Sequence, residues 1–264
     1  MPIKIPDNLP ARKFLLKESV DIIDTSIAER QDIRPLRFLL LNLMPKKINT
    51  EIQFARLIGA SPLQIELTLM TTKTYSPKNI TKDYLIQFYK TLDDIKDNYF
   101  DVLIVTGAPV ETLPFEKVGY WEELLKIEQW SKNNVFRKIG ICWGAQALLK
   151  IQYDIEKYML PNKIFGVYDH NLTNNNDKLL HGFINNFPMP VSRFTENKKE
   201  DIYNNKLDLL AVSEISGVGM VRCPISKDLF ILNHLEYDAN TLNEEYIRDK
   251  ADNYEIKIPE NYFT

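Results

Sequence analysis

Ile139-Gly140-Ile141-Cys142-Trp143-Gly144 is the stretch on which the fold turns. A short apolar segment ends at Ile141, a cysteine follows between two glycines, and the run from Ala145 to Ile151 has helical spacing. This is G-x-C-x-G, the thiol counterpart of the G-x-S-x-G elbow that turns a strand sharply into a helix with the nucleophile at the corner. Such a corner leaves no room for side chains beside the nucleophile. With only nine glycines in 264 residues, two flanking one cysteine is informative. Backbone N–H groups at a helix start favour negative charge, here the reactive thiolate. The N–H of Trp143 is placed to stabilise an oxyanion, and a second donor, Ala108, is available in the loop Thr106-Gly107-Ala108-Pro109. The other cysteine, Cys223, lies in Val221-Arg222-Cys223-Pro224 without such a setting and reads as structural.

Outward from the elbow, apolar runs alternate with helical patterns. Arg37 to Met44, Leu63 to Met70, Val102 to Val105 and Ile139 to Ile141 read as strands covered on both faces, as in a parallel sheet. Thr50-Glu51-Ile52-Gln53 fits a capping box opening a helix. Thr81 to Ile95 and Tyr120 to Lys132 also have helical spacing. This order predicts a doubly wound, mostly parallel α/β sheet, with ligands beyond the carboxyl ends of its strands. After residue 160 the pattern is less regular. Ile164 to Tyr168, Leu207 to Val212, Val218 to Arg222 and Leu229 to Asn233 read as shorter strands, Asn171 to Asn176 as a surface loop, and Asp238 as the cap of a final helix through Arg248. No linker stands out, so a single domain over 1–264 is expected.

A thiol nucleophile needs a base, and the chain has three histidines. His234 follows an apolar run and opens His234-Leu235-Glu236. Residues two apart on an extended segment point the same way, so Glu236 can orient the imidazole of His234 or stabilise its charge. His170 reads as a loop residue or one packed behind the site, and His181, before Gly182, as a turn residue. Neither histidines nor cysteines show metal-ligand spacing, so no metal is expected.

A net charge of −3, from 33 Lys and Arg against 36 Asp and Glu, gives no basic field for nucleic acid or an anionic membrane. The most apolar stretch, Phe38 to Met44, is far too short to span a bilayer. The absence of a signal-like N-terminus and of a cysteine framework points to the cytoplasm.

The elbow with a distant His-x-Glu resembles the class I glutamine amidotransferase superfamily. Within it, the chain is much more similar to the homoserine O-acyltransferases of methionine biosynthesis, often called homoserine O-succinyltransferases. The stretches carrying this include Ile33-Arg34-Pro35-Leu36, Leu41 through Lys47, Asn49-Thr50-Glu51, Ser61-Pro62-Leu63-Gln64 and Thr106 through Pro109. Further on come Tyr120-Trp121, Cys142 through Ala147, Gly166-Val167-Tyr168, Ser192-Arg193, and His234 through Asp238. The resemblance spans nearly the whole chain. It implies a flavodoxin-like three-layer architecture, a homodimer and no permanently bound cofactor. It also implies a ping-pong reaction in which Cys142 takes an acyl group from acyl-CoA and L-homoserine takes it from the enzyme. His234 is then the base, Glu236 its support, and Lys163, Ser192 and Arg248 the substrate contacts; Arg248 suits a two-pronged grip on a carboxylate. Glu111 stands at the family's acyl-pocket position, where Glu goes with acetyl-CoA and Gly with succinyl-CoA. A carboxylate there fills the space of the succinyl arm and repels its charge. Lys46 and Lys47, after a strand end, are candidates to meet the active site or CoA phosphates, with Arg193 as a further candidate. Leu235 and Val191 stand where many relatives have proline and histidine, and the chain stops at Thr264, where typical relatives continue for some tens of residues. The alternatives are succinyl transfer, a glutamine amidotransferase or γ-glutamyl hydrolase using the same triad, and a silent binding protein on the same fold.

Overall fold

The computed structural model describes residues 2–74, 79–174, 177–252 and 255–263. The chain is an α/β protein with a mostly parallel central sheet, and it groups into two compact units, residues 1–109 with 114–139 and residues 110–113 with 140–264.

The first unit is a set of parallel strands joined by helices. In chain order it holds β1 (Ile3–Lys4), α1 (Arg12–Lys17), β2 (Ile22–Ile23), α2 (Thr25–Ala28), β3 (Leu36–Leu41), α3 (Lys47–Gly59) and β4 (Ile65–Met70). Then come α4 (Lys82–Phe88), β5 (Tyr89–Lys90), α5 (Leu92–Ile95), β6 (Phe100–Val105), α6 (Trp121–Asn134) and β7 (Val135–Ile141), whose last two residues open the second unit. The strand order is β2-β1-β4-β3-β6-β7, with β5 on β4. Phe38 to Leu41 align with Val102 to Val105 on one side and with Leu67 to Met70 on the other. Leu39, Leu40, Leu41, Leu103 and Val105 are wholly buried, which is why Phe38 to Leu41 and Val102 to Val105 are continuously apolar.

Two expectations change here. The helix α3 starts at Lys47, three residues before the expected cap. Thr50 is inside it, and Glu51 accepts the hydroxyls of Tyr84 (2.7 Å) and Tyr89 (2.6 Å). The run from 81 to 95 is not one helix, because Tyr89 and Lys90 pair with Leu69 and Met70 as a short strand.

The second unit is built mainly from antiparallel strands. It holds α7 (Trp143–Tyr153), β8 (Tyr158–Leu172), β9 (Asn186–Glu196), α8 (Lys199–Asn204), β10 (Asp208–Ser213), β11 (Gly217–Arg222), β12 (Leu229–Ile231) and α9 (Thr241–Ala251). The order is β12-β11-β10-β8-β9. The asparagine-rich stretch begins inside β8, and residues 175–176 lie outside the described ones. Asn240 rather than Asp238 occupies the cap position of α9; the Asp238 amide instead bonds the Thr241 hydroxyl at 3.1 Å. Among the described residues, no helix is long and apolar enough to cross a membrane.

Candidate active site

The second unit holds the elbow and most of the predicted site residues. Cys142 sits between β7 and α7 with φ 48° and ψ −117°, a conformation side chains rarely adopt. A Cβ on Gly140 would stand 2.6 Å from the Cα of Ala145, so only glycine lets the strand and helix meet this closely. The amide of Cys142 donates to the carbonyl of Ile231 (2.7 Å), and that of Gln146 to the carbonyl of Cys142 (3.1 Å). These bonds fix the corner from the β12 side and from within α7. The cysteine is half-buried. Trp143 is wholly buried, whereas Ala108 belongs to the first unit, buried in the loop after β6.

His234 lies just past β12, its amide held by the Pro190 carbonyl at 3.0 Å. Residues 234–236 form a bend rather than a strand, yet they meet as expected: His234 Nδ1 and Glu236 Oε1 are 2.6 Å apart. Cys142 is close enough to act on the charge of this ring. Burial opposes a charge on this ring, but Glu236 and Cys142 outweigh it and raise the His234 pKa well above 6.5. Sulfur, imidazole and carboxylate therefore form one relay, with Nδ1 committed to Glu236 and the other nitrogen left for the sulfur.

The other predicted residues of the second unit have partners of their own. Lys163, on β8, is buried and donates to Asp249 Oδ2 at 2.6 Å. Arg248, on α9, donates through Nε to Oδ1 of the same carboxylate at 2.7 Å and keeps about half of its side chain exposed. One buried carboxylate thus anchors both cations. Ser192 is buried on β9, paired in register with Phe165. Arg193 is fully buried and donates to the carbonyls of Thr195 (3.1 Å), Ser216 and Val218 (3.3 Å), with Cys142 and Glu111 among the charges that act on it. Glu111 accepts from the Phe194 amide (3.0 Å) and the Thr195 hydroxyl (3.3 Å). Burial raises its pKa, partly offset by the Phe194 N–H and the Lys163 cation. Lys157 holds the backbone of this segment by donating to the carbonyls of Glu111 (2.6 Å) and Leu113 (2.7 Å).

Lys46 and Lys47 belong to the first unit and differ sharply. Lys46 is exposed. Lys47 is buried with its ammonium on the carbonyl of Asn42, and burial lowers its pKa to about 8 against the pull of Glu51. That ammonium is unavailable to a CoA phosphate. A cavity of about 800 Å³ in the first unit, lined by Arg34, Arg37, Tyr99, Asp101 and Phe136, contains none of the predicted site residues.

Asp249, Tyr237, Glu245 and Asn233 escaped sequence reasoning. Tyr237 stacks on His234 and donates its hydroxyl to Glu245. Glu245 Oε2 is buried without a partner among the described residues. His170 is wholly buried and neutral: burial lowers its pKa to about 4. Its Nδ1–H donates to the Tyr168 carbonyl, which leaves Nε2 to accept from Ser216 (3.0 Å) and Asn233 (2.8 Å). His170 thus supports the residue before His234, as a group packed behind the site. Among the described residues, no three His, Cys, Asp or Glu side chains are grouped as metal ligands.

Comparison with known proteins adds two findings. The family described as homoserine O-succinyltransferase matches residues 2–264. Two curated proteins named homoserine O-acetyltransferase align over the entire chain. The one from Clostridium acetobutylicum is 54% identical over 88% of its own length, and the one from Acetivibrio thermocellus 49% over 87%. Among solved structures, a glutamine amidotransferase from Thermotoga maritima superposes with a TM-score of 0.58 at 15% identity, covering 85% of this chain and 87% of that one. The glutaminase domain of Trypanosoma brucei CTPS superposes with a TM-score of 0.52 at 12% identity, covering 88% and 98%. These structural likenesses show the class I glutamine amidotransferase-like fold.

Proposed function

Because the chain belongs to the homoserine O-succinyltransferase family, whose members are homoserine O-acyltransferases of methionine biosynthesis, we propose that it moves an acetyl group from acetyl-CoA to the side-chain hydroxyl of L-homoserine through a thioester on Cys142. The observation that carries this reading is the relay of Cys142, His234 and Glu236 at the elbow.

In the first half-reaction the Cys142 thiolate attacks the thioester carbonyl of acetyl-CoA. The bond to Cys142 forms, the bond to the CoA sulfur breaks, and the departing sulfur takes the proton held by the His234 imidazolium. The N–H of Trp143 is the candidate to hold the transient oxyanion. In the second half-reaction His234 removes the proton from the homoserine hydroxyl, whose oxygen attacks the acyl carbon. Collapse expels the Cys142 thiolate. Glu236 stabilises the imidazolium each time it forms.

The residues around the relay suit homoserine. The guanidinium of Arg248 has an edge for the α-carboxylate, Lys163 adds positive charge and Ser192 a hydroxyl. The unpartnered oxygen of Glu245, 12% exposed as a side chain, suits the α-ammonium. Acetyl over succinyl follows from Glu111. Protonated or ionised, its side chain occupies the space a succinyl arm needs, and the ionised form adds repulsion.

The test incubates the protein with acetyl-CoA or succinyl-CoA, with and without L-homoserine, following CoA release and intact mass, with glutamine in parallel. A +42 Da adduct is about what one acetyl thioester adds. It should form on Cys142 and clear when homoserine is added. Glutamine hydrolysis without acyl transfer supports the amidotransferase reading instead, and a thioester persisting in Cys142→Ala sinks the role given to the sulfur.

A further inference from the structure

Tyr237 follows the His234-Leu235-Glu236 bend directly, and its ring lies on the imidazole of His234 with centroids 4.0 Å apart and planes 19° from parallel. Its hydroxyl reaches α9, donating to Oε1 of Glu245 at 2.9 Å. One rigid side chain therefore touches both the base of the reaction and the helix that carries Arg248. The phenol stays protonated, since burial and the carboxylates of Glu245 and Glu236 raise its pKa.

The Glu245 contact matters because of what lies beside it. Nη1 of Arg248 stands 4.0 Å from Oε1 of Glu245, outside hydrogen-bond reach. With the phenol holding Oε1, Glu245 cannot close that gap, and the guanidinium edge stays open for a carboxylate. Without the hydroxyl, Glu245 can turn onto Arg248 and neutralise the group that must grip the substrate. The stacking contact has a separate effect. A phenol face attracts a cation and so favours imidazolium over imidazole, while the stack also fixes the ring's plane.

We propose that Tyr237 is a positioning residue that couples the two half-reactions' machinery: its ring sets the His234 imidazole, and its hydroxyl keeps Glu245 from masking Arg248. The inference rests on the acyl-transfer reading above, and the two fail separately.

The experiment measures both half-reactions in Tyr237→Phe and Tyr237→Leu. Thioester formation from acetyl-CoA is followed by intact mass without homoserine, and transfer is followed against homoserine concentration. Tyr237→Phe keeps the stack and loses the hydroxyl. Its acylation rate should stay within about twofold, while its homoserine KM rises about tenfold, the scale of one charge-assisted hydrogen bond. Tyr237→Leu loses both contacts. It should show the same KM rise and, in addition, an alkaline limb of the acylation pH profile moved down by about half a pH unit, because the imidazolium has lost its aromatic face. A merely structural role would depress both half-reactions together and leave that limb in place. A homoserine KM unchanged in Tyr237→Phe overturns the proposal even if the leucine variant does not fold. A wild-type protein that forms no thioester overturns the acyl-transfer reading itself, and this inference with it.

Discussion

Glu236 presents one oxygen to Nδ1 of His234 at 2.6 Å and buries the other without a partner among the described residues. Its charge, not its shape, is then what holds the imidazolium. Replacement by glutamine should keep the hydrogen-bond geometry yet lower the rate of thioester formation by about 10²–10⁴. The alkaline limb of the pH profile should move down with it, because the His234 pKa is raised partly by this carboxylate; stopped-flow CoA release across pH reads both. Glu111 gives the second residue-level expectation. In Glu111→Gly the side chain anchored to Phe194 and Thr195 is gone, so the ratio of succinyl-CoA to acetyl-CoA turnover should rise at least about tenfold, the order of 1.4 kcal/mol in relative barrier. An unchanged ratio removes Glu111 from donor choice. At this scale the sequence was readable wherever chemistry is scarce: two cysteines and three histidines leave few ways to assemble a thiol relay. Asp249 and Tyr237 were not readable, because each is an ordinary residue type whose role comes from a neighbour across the fold. Asp249 is 86 residues from Lys163.

Among the elements, the sequence revealed the buried apolar runs of β3, β4 and β6 and, in the second unit, the short strands β10, β11 and β12. The antiparallel β8 and β9 were hidden, β8 in part and β9 completely. The second holds Pro188 and Pro190, which usually argue against a strand, but it ends the strand order, and an edge tolerates a residue without an N–H. The capping box at Thr50 misled because a buried glutamate bonded to two tyrosines has the same local spelling as a helix start. The elbow itself was legible because its geometry depends on one atom too many. In Gly140→Ala, the new methyl meets the backbone of α7 at 2.6 Å and 2.8 Å. The expected cost is about 1–3 kcal/mol in urea unfolding, together with a larger loss of thioester formation than of stability, since the corner that moves carries the sulfur.

The whole molecule carries little net charge, and Cys142, His234 and Glu236 all lie in the second unit, so a buried cation of the first unit offers a stability effect to read apart from them. Lys47 provides it. Burial lowers its pKa from 10.5 to about 8. Between those values the unfolded chain binds more protons than the folded one, so raising the pH favours folding. The penalty is fully present below pH 8 and vanishes above about 10.5, amounting to roughly 3 kcal/mol in all. The difference in urea midpoint between wild type and Lys47→Met should therefore shift in favour of the wild type from pH 7.5 to 10. A difference that stays flat shows that Lys47 titrates normally. Finally, the ring of His170 lies against Gly219, where a Cβ would come within 2.4 Å of the imidazole Cδ2 and 2.7 Å of Met189 Cε. Those positions are consequently bound by epistasis: alanine at 219 is ruinous beside histidine but tolerable beside a smaller partner, so substitutions there must arrive as a pair.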